Sequence, residues 1–138
     1  MREDTRRWLR YAEYDLRMAE LALEHGIYVH AAYHAQQAAE KYLKAYLIEH
    51  ERPYPRTHDI KILIKKCAEI DKEIEELLTE GVDKLTIYAT ESRYPEADQE
   101  ITKEEAEEAI KKAKTVQKLI TQKLQTKNNP TQHKSNPN

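Results

Sequence analysis

At 138 residues the chain is sized for one domain, burying about two thirds of the surface its unfolded form exposes. Two glycines and no phenylalanine argue against a sheet-rich fold, and a net charge of −2 excludes a global basic field for nucleic acid. A single cysteine excludes an internal disulfide framework and a Cys-based zinc site, and leaves Cys67 as a small core residue. No apolar run approaches the roughly 18 residues of a membrane span. The opening MREDTRRWLR lacks the apolar core of a signal peptide, so a cytoplasmic protein with no membrane partner is expected.

The first predicted helix covers residues 4–25, with Asp4 or Thr5 as its cap. Leu9, Ala12, Leu16, Ala19 and Leu23 recur at helical spacing, and Gly26 ends the pattern. The short connection forces an antiparallel hairpin with a second helix over 28–50. That helix carries Ala31, Ala32, Ala35, Ala38, Ala39 and Ala45 on more than one face, as a helix packed by several neighbours does. A polar stripe crosses it: His30, His34, Gln37, Lys41 and Lys44.

Pro53 and Pro55 hold the next loop extended. Thr57 is the expected cap of a third helix that buries Ile60, Leu63, Ile64 and Cys67. A fourth helix is predicted over 71–92, with Gly81 inside it as a tolerated residue or a local kink. Thr102 and Glu105 form a capping box opening a fifth helix lined by Ala106, Ala109, Ile110, Ala113, Val116, Ile120 and Leu124. Residues 1–126 make the domain, and the polar, proline-bearing 127–138 reads as a disordered tail.

The fold expected is all-α, an up-and-down antiparallel bundle of four to five helices. Alternating chain direction gathers Arg6, Arg7, Lys44, Arg52, Arg56, His58, Arg93 and Tyr94 at one pole.

Three segments carry candidate chemistry. Gln37, Lys41 and Lys44 can bond a base or a phosphate, or simply form a solvated face. Arg56 and His58 sit where a helix N-terminus favours anions, though Thr57 and His58 could equally serve a cap and a carboxylate. Arg93 can grip phosphate as a bidentate fork with Tyr94 stacking a base, or satisfy the last carbonyls of its helix. His30 and His34 at i, i+4 are too little for a metal site, and none is expected; no cofactor is expected either. Tyr11, Tyr33, Tyr42, Tyr46 and Tyr88 read as core or interface.

The run AAYHAQQAAEKYLKAYL, then THDI, then SRYP resembles the HEPN domain of prokaryotes and higher eukaryotes. The opening YAEYDLRMAE and closing TKEEAEEAIKKAK fit it too, so the match spans roughly residues 5–122. The resemblance implies a helical bundle, a homodimer, a role near nucleotides or RNA, and a minimal nucleotidyltransferase partner in a toxin–antitoxin-like pair. Many HEPN proteins are metal-independent endoribonucleases built on an arginine and a histidine a short spacer apart. Arg52 and His58, with five residues between them, are the candidates here, but Pro53 stands where that motif carries a polar residue. The THDI and SRYP segments look more like the nucleotide-binding branch. The reading is therefore a nucleotide- or RNA-phosphate-binding module leaning away from an enzyme, with an endoribonuclease or a non-catalytic dimeric adaptor as alternatives.

Overall fold

A computed structural model describes residues 1–90, 95 and 100–127. Among them the chain forms α1 (Glu3–Glu24), α2 (Tyr28–Glu49), α3 (Ile60–Ala68), α4 (Glu76–Thr79) and α5 (Lys103–Lys127). Two 3-10 segments, Lys72–Glu75 and Val82–Ala89, flank α4. No strand occurs among the described residues, and the protein is an all-α bundle.

α2 is its axle. α1, α3, α5 and the 3-10 segment Val82–Ala89 all pack against it. Its six alanines are fully buried, because a methyl group lets four neighbours approach the same rod closely. The apolar positions read from α3 and α5 are buried without exception, and Ile74, Leu77, Val82 and Leu85 complete the core. Cys67 is buried, donates its thiol to the Leu43 carbonyl at 3.4 Å, and has its pKa pushed up by burial.

The first two helices end in the same way. After α1 the Gly26 amide returns to Leu23 at 3.1 Å and the Ile27 amide to Ala22 at 2.8 Å, with Gly26 at φ +76. After α2 the Glu51 amide returns to Ile48 at 3.0 Å and the Arg52 amide to Leu47 at 2.9 Å. Here the left-handed residue is Glu51, at φ +57, a conformation that costs an L-residue about 1–2 kcal/mol. Its carboxylate meets the Arg2 guanidinium at 3.2 Å, and the Arg2 amide donates to Glu49 at 3.0 Å. The start of α1 and the end of α2 therefore meet at one pole, as alternation requires.

Three local expectations are corrected. α1 has no side-chain cap of its own: its N-cap is Arg2, and Asp4 instead accepts from the Thr5 amide at 3.0 Å. α3 is capped by Asp59, which accepts from the Lys61 and Ile62 amides at 3.0 and 3.4 Å, while Thr57 receives the Asp59 amide at 3.0 Å. The fourth helix is broken. Gly81 takes φ +74, which no α-helix accommodates, and splits the segment into α4 and a 3-10 run. The Thr102–Glu105 capping box forms reciprocally, at 2.8 and 3.1 Å. The SRYP segment's Arg93 and Tyr94, and the tail beyond Lys127, lie outside the described residues.

Candidate functional site: a polar network and an aromatic cleft on the second helix

The stripe read on α2 is two adjacent rows. His34, Gln37 and Lys41 form one; Gln36, Glu40 and Lys44, four residues apart, form the other and are buried.

The first row is tied to α1 through Asp15. One carboxylate oxygen lies 2.9 Å from His34 Nδ1, and the other accepts from Lys41 Nζ at 2.5 Å. Lys41 also reaches Gln37 Oε1 at 3.4 Å. Burial pushes the Asp15 carboxyl pKa up, but the bonds from His34 and Lys41 and the lysine charge outweigh it, so the net shift is downward.

The second row is centred on Glu40. Its Oε1 accepts from Gln36 Nε2 at 3.0 Å and from His58 Nδ1 at 2.8 Å, and its Oε2 accepts from Lys44 Nζ at 2.8 Å. Burial raises the Glu40 pKa; the donors Lys44, His58 and Gln36 more than offset this and hold it below the ordinary carboxylate value. Gln37 Nε2 donates to Gln36 Oε1 at 2.8 Å and joins the rows. One hydrogen-bonded chain therefore runs from His34 through Asp15, Lys41, Gln37, Gln36 and Glu40 to His58 and Lys44.

Lys44 has a second role. Its ammonium lies 6.0 Å from the Trp8 ring centre and 5.7 Å from that of Tyr54, and the two rings meet edge to face at 5.3 Å. The cation thus clamps the proline loop onto the first turns of α1. Beside this clamp a cleft of about 390 Å³ opens, lined by Arg7, Trp8, Tyr11 and Lys41. It pairs two aromatic platforms with two cations. Arg7 makes no ion pair among the described residues. A second hollow, between the end of α1 and α5, is lined by Leu23, Ile110, Lys111, Lys114 and Lys118, offers no aromatic face, and has Lys114 paired to Glu20 at 2.7 Å.

The sequence-predicted residues fall into this picture unevenly. Lys41, Gln37, Lys44 and His58 are brought together by the network. Arg56 is exposed and unpaired among the described residues, whereas Arg52 points to Glu69 at 4.0 Å, so Arg52 and His58 have different partners. His30 is exposed, and no cluster of three or more metal-ligating side chains occurs among the described residues. Sequence reasoning placed Arg7 at the arginine-rich pole without a role, and missed Trp8, Tyr54 and Gln36 as site residues. The one signal for Gln36 was its spacing of four from Glu40, and of eight from Lys44, inside an alanine-rich helix.

An alanine-rich central helix, packed by its neighbours and carrying a buried polar row, defines a small helical-bundle domain. The HEPN domain family model matches residues 5–124, and the chain belongs to that family, which points to a nucleotide- or RNA-related function. The chain matches no curated protein and no solved structure. No helix among the described residues is long and apolar enough to cross a membrane.

Proposed function

We propose that the protein is a nucleotide- or RNA-phosphate-binding module, acting as a homodimer with a minimal nucleotidyltransferase in a toxin–antitoxin-like pair. The observation that carries the binding reading is the cleft of Arg7, Trp8, Tyr11 and Lys41. A base stacks on Trp8 or Tyr11, a contact worth about 1–3 kcal/mol. A phosphate takes the Arg7 fork, with Lys41 and Arg56 supplying further charge and His58 a hydrogen bond. Lys44 positions Trp8 and Tyr54 rather than touching ligand, and Gln37 holds Lys41 in place. Arg93 and Tyr94 belong to the same reading as a second phosphate grip and stacking platform.

Calorimetric titration with ATP and with a short single-stranded RNA, in EDTA, tests it. Arg7→Ala is expected to weaken binding about tenfold or more, since a charge-assisted hydrogen bond contributes roughly 1.5–3 kcal/mol. Equal affinity in wild type and Arg7→Ala rejects the cleft; the same titration on Arg93→Ala examines the other grip.

The Glu40–His58 pair favours a second reading. A carboxylate on Nδ1 fixes the imidazole tautomer and leaves Nε2 for proton transfer, as general acid–base chemistry requires. In a metal-independent endoribonuclease His58 would move the proton of the RNA 2′-hydroxyl or of the leaving oxygen, with Arg52 on the phosphate. Unchanged RNA cleavage by His58→Ala in EDTA would end that reading.

A further inference from the structure

Arg7 stands on the border of two hollows. On one side lies the cleft it shares with Trp8, Tyr11 and Lys41. On the other it lines a hollow of about 490 Å³ with Arg2, Glu3 and Asp4, at the start of α1. The charge on the two sides differs. In the cleft Lys41 already bonds the Asp15 carboxylate at 2.5 Å, whereas Arg7 makes no ion pair among the described residues. The cleft therefore offers one uncompensated positive charge, which a single phosphate satisfies. In the hollow the balance is reversed. Its one cation besides Arg7 is Arg2, whose guanidinium is held by Asp4 at 3.1 Å and by Glu51 at 3.2 Å. The Glu3 side chain stands 90% exposed, 3.9 Å from Arg6.

We infer that Glu3 and Asp4 act as a charge filter beside the cleft, which admits a base bearing one phosphate and disfavours a base bearing a triphosphate. The inference rests on the cleft reading above and deepens it by naming the phosphate ester that fits. With the base on Trp8 or Tyr11 and the first phosphate on Arg7, the protein surface beyond that guanidinium is the Glu3 and Asp4 hollow. A second and third phosphate there meet carboxylates in place of cations, and a tail that swings into solvent gains nothing from the protein. The start of a helix ordinarily draws anions through its free amides and its dipole. Here the chain's own carboxylates fill that role: the Thr5 amide donates to Asp4 at 3.0 Å and the Arg2 amide to Glu49 at 3.0 Å. Arg56 lines neither hollow and adds only a long-range field. The phosphodiester of RNA and the monoester of a free nucleotide share the chemistry that passes the filter.

The test titrates AMP, the dinucleoside monophosphate ApA and ATP against Trp8 fluorescence, in EDTA and low salt. ATP is expected to bind about fivefold more weakly than the better of the other two, the cost of roughly one like-charge contact in water. Whichever of ApA and AMP binds more tightly identifies RNA or a free nucleotide as the source of the phosphate. Glu3→Gln combined with Asp4→Asn changes two exposed side chains and should leave helical circular dichroism unaltered. It is expected to strengthen ATP binding about fivefold and to leave AMP and ApA within about twofold of wild type. Added salt should narrow the wild-type difference, which a purely steric limit would not do. ATP bound as tightly as AMP and ApA by wild type, or an ATP affinity unmoved in the double variant, overturns the filter and leaves the cleft standing. Binding of none of the three overturns the cleft reading and the filter together.

Discussion

Two carboxylates, Asp15 on α1 and Glu40 on α2, have the same kind of company: Asp15 has one histidine and one lysine, and so does Glu40. Their surroundings differ. The Lys44 and Glu40 side chains are 8% and 6% exposed, against 23% and 15% for Lys41 and Asp15. At the surface such a group of charges steers side chains and has water as an alternative partner. In the interior the alternative is an unpaired buried charge, so the same chemistry becomes a structural dependency. The rings of Trp8 and Tyr54 stand over the buried cluster, which therefore shapes the cleft from beneath, while the Asp15 cluster supplies its lysine wall.

The largest expected effect breaks the buried side of this comparison. Glu40→Ala strands Lys44 and frees His58, and should cost about 3–5 kcal/mol of unfolding free energy in urea titration. Glu40→Leu combined with Lys44→Met removes both charges and should recover most of that loss. Asp15→Ala is expected to cost about 1–2 kcal/mol, because Lys41 and His34 can turn to water. Equal costs for Glu40→Ala and Asp15→Ala would erase the distinction.

Acid sharpens it next. Both carboxyls are held below their ordinary values of 4.5 and 3.8. Their ionised forms contribute stability in full above those values, and the contribution is lost as pH falls through the lowered folded-state values. Stability should therefore decline below about pH 4, with Glu40→Gln flattening that decline more than Asp15→Asn. The smallest effect concerns the bridge between the rows. A double-mutant cycle on Gln36→Ala and Gln37→Ala should show a coupling of about 0.5–1 kcal/mol.

The bundle was legible because helical periodicity and burial are the same fact seen twice: Ile60, Leu63, Ile64 and Cys67 recur at the spacing that faces a core. Where backbone geometry decided the outcome, that signal failed. Apolar spacing runs on through Gly81, so a continuous helix looked correct, yet a left-handed glycine interrupts it. Thr57 and Asp59 both carry capping oxygens, and only their backbone angles separate the one that caps α3 from the one that holds the preceding turn. The site was half legible. Lys41, Lys44 and His58 announced themselves by charge. Glu40 was legible as an i, i+4 partner of Lys44, but its burial and its bond to His58 were not, because such a pair is normally solvated. Trp8 and Tyr54 lie far apart in the chain and become a site only when the proline loop folds back onto α1.

Trp8 is the chain's single tryptophan, so its fluorescence reports on the cleft alone. Titrating the protein with ATP or short RNA should change that emission saturably, and Arg7→Ala should shift the midpoint to about tenfold higher concentration. Calorimetric binding with no change in Trp8 emission, or a midpoint unmoved in Arg7→Ala, would contradict a ligand seated between the indole and the arginine.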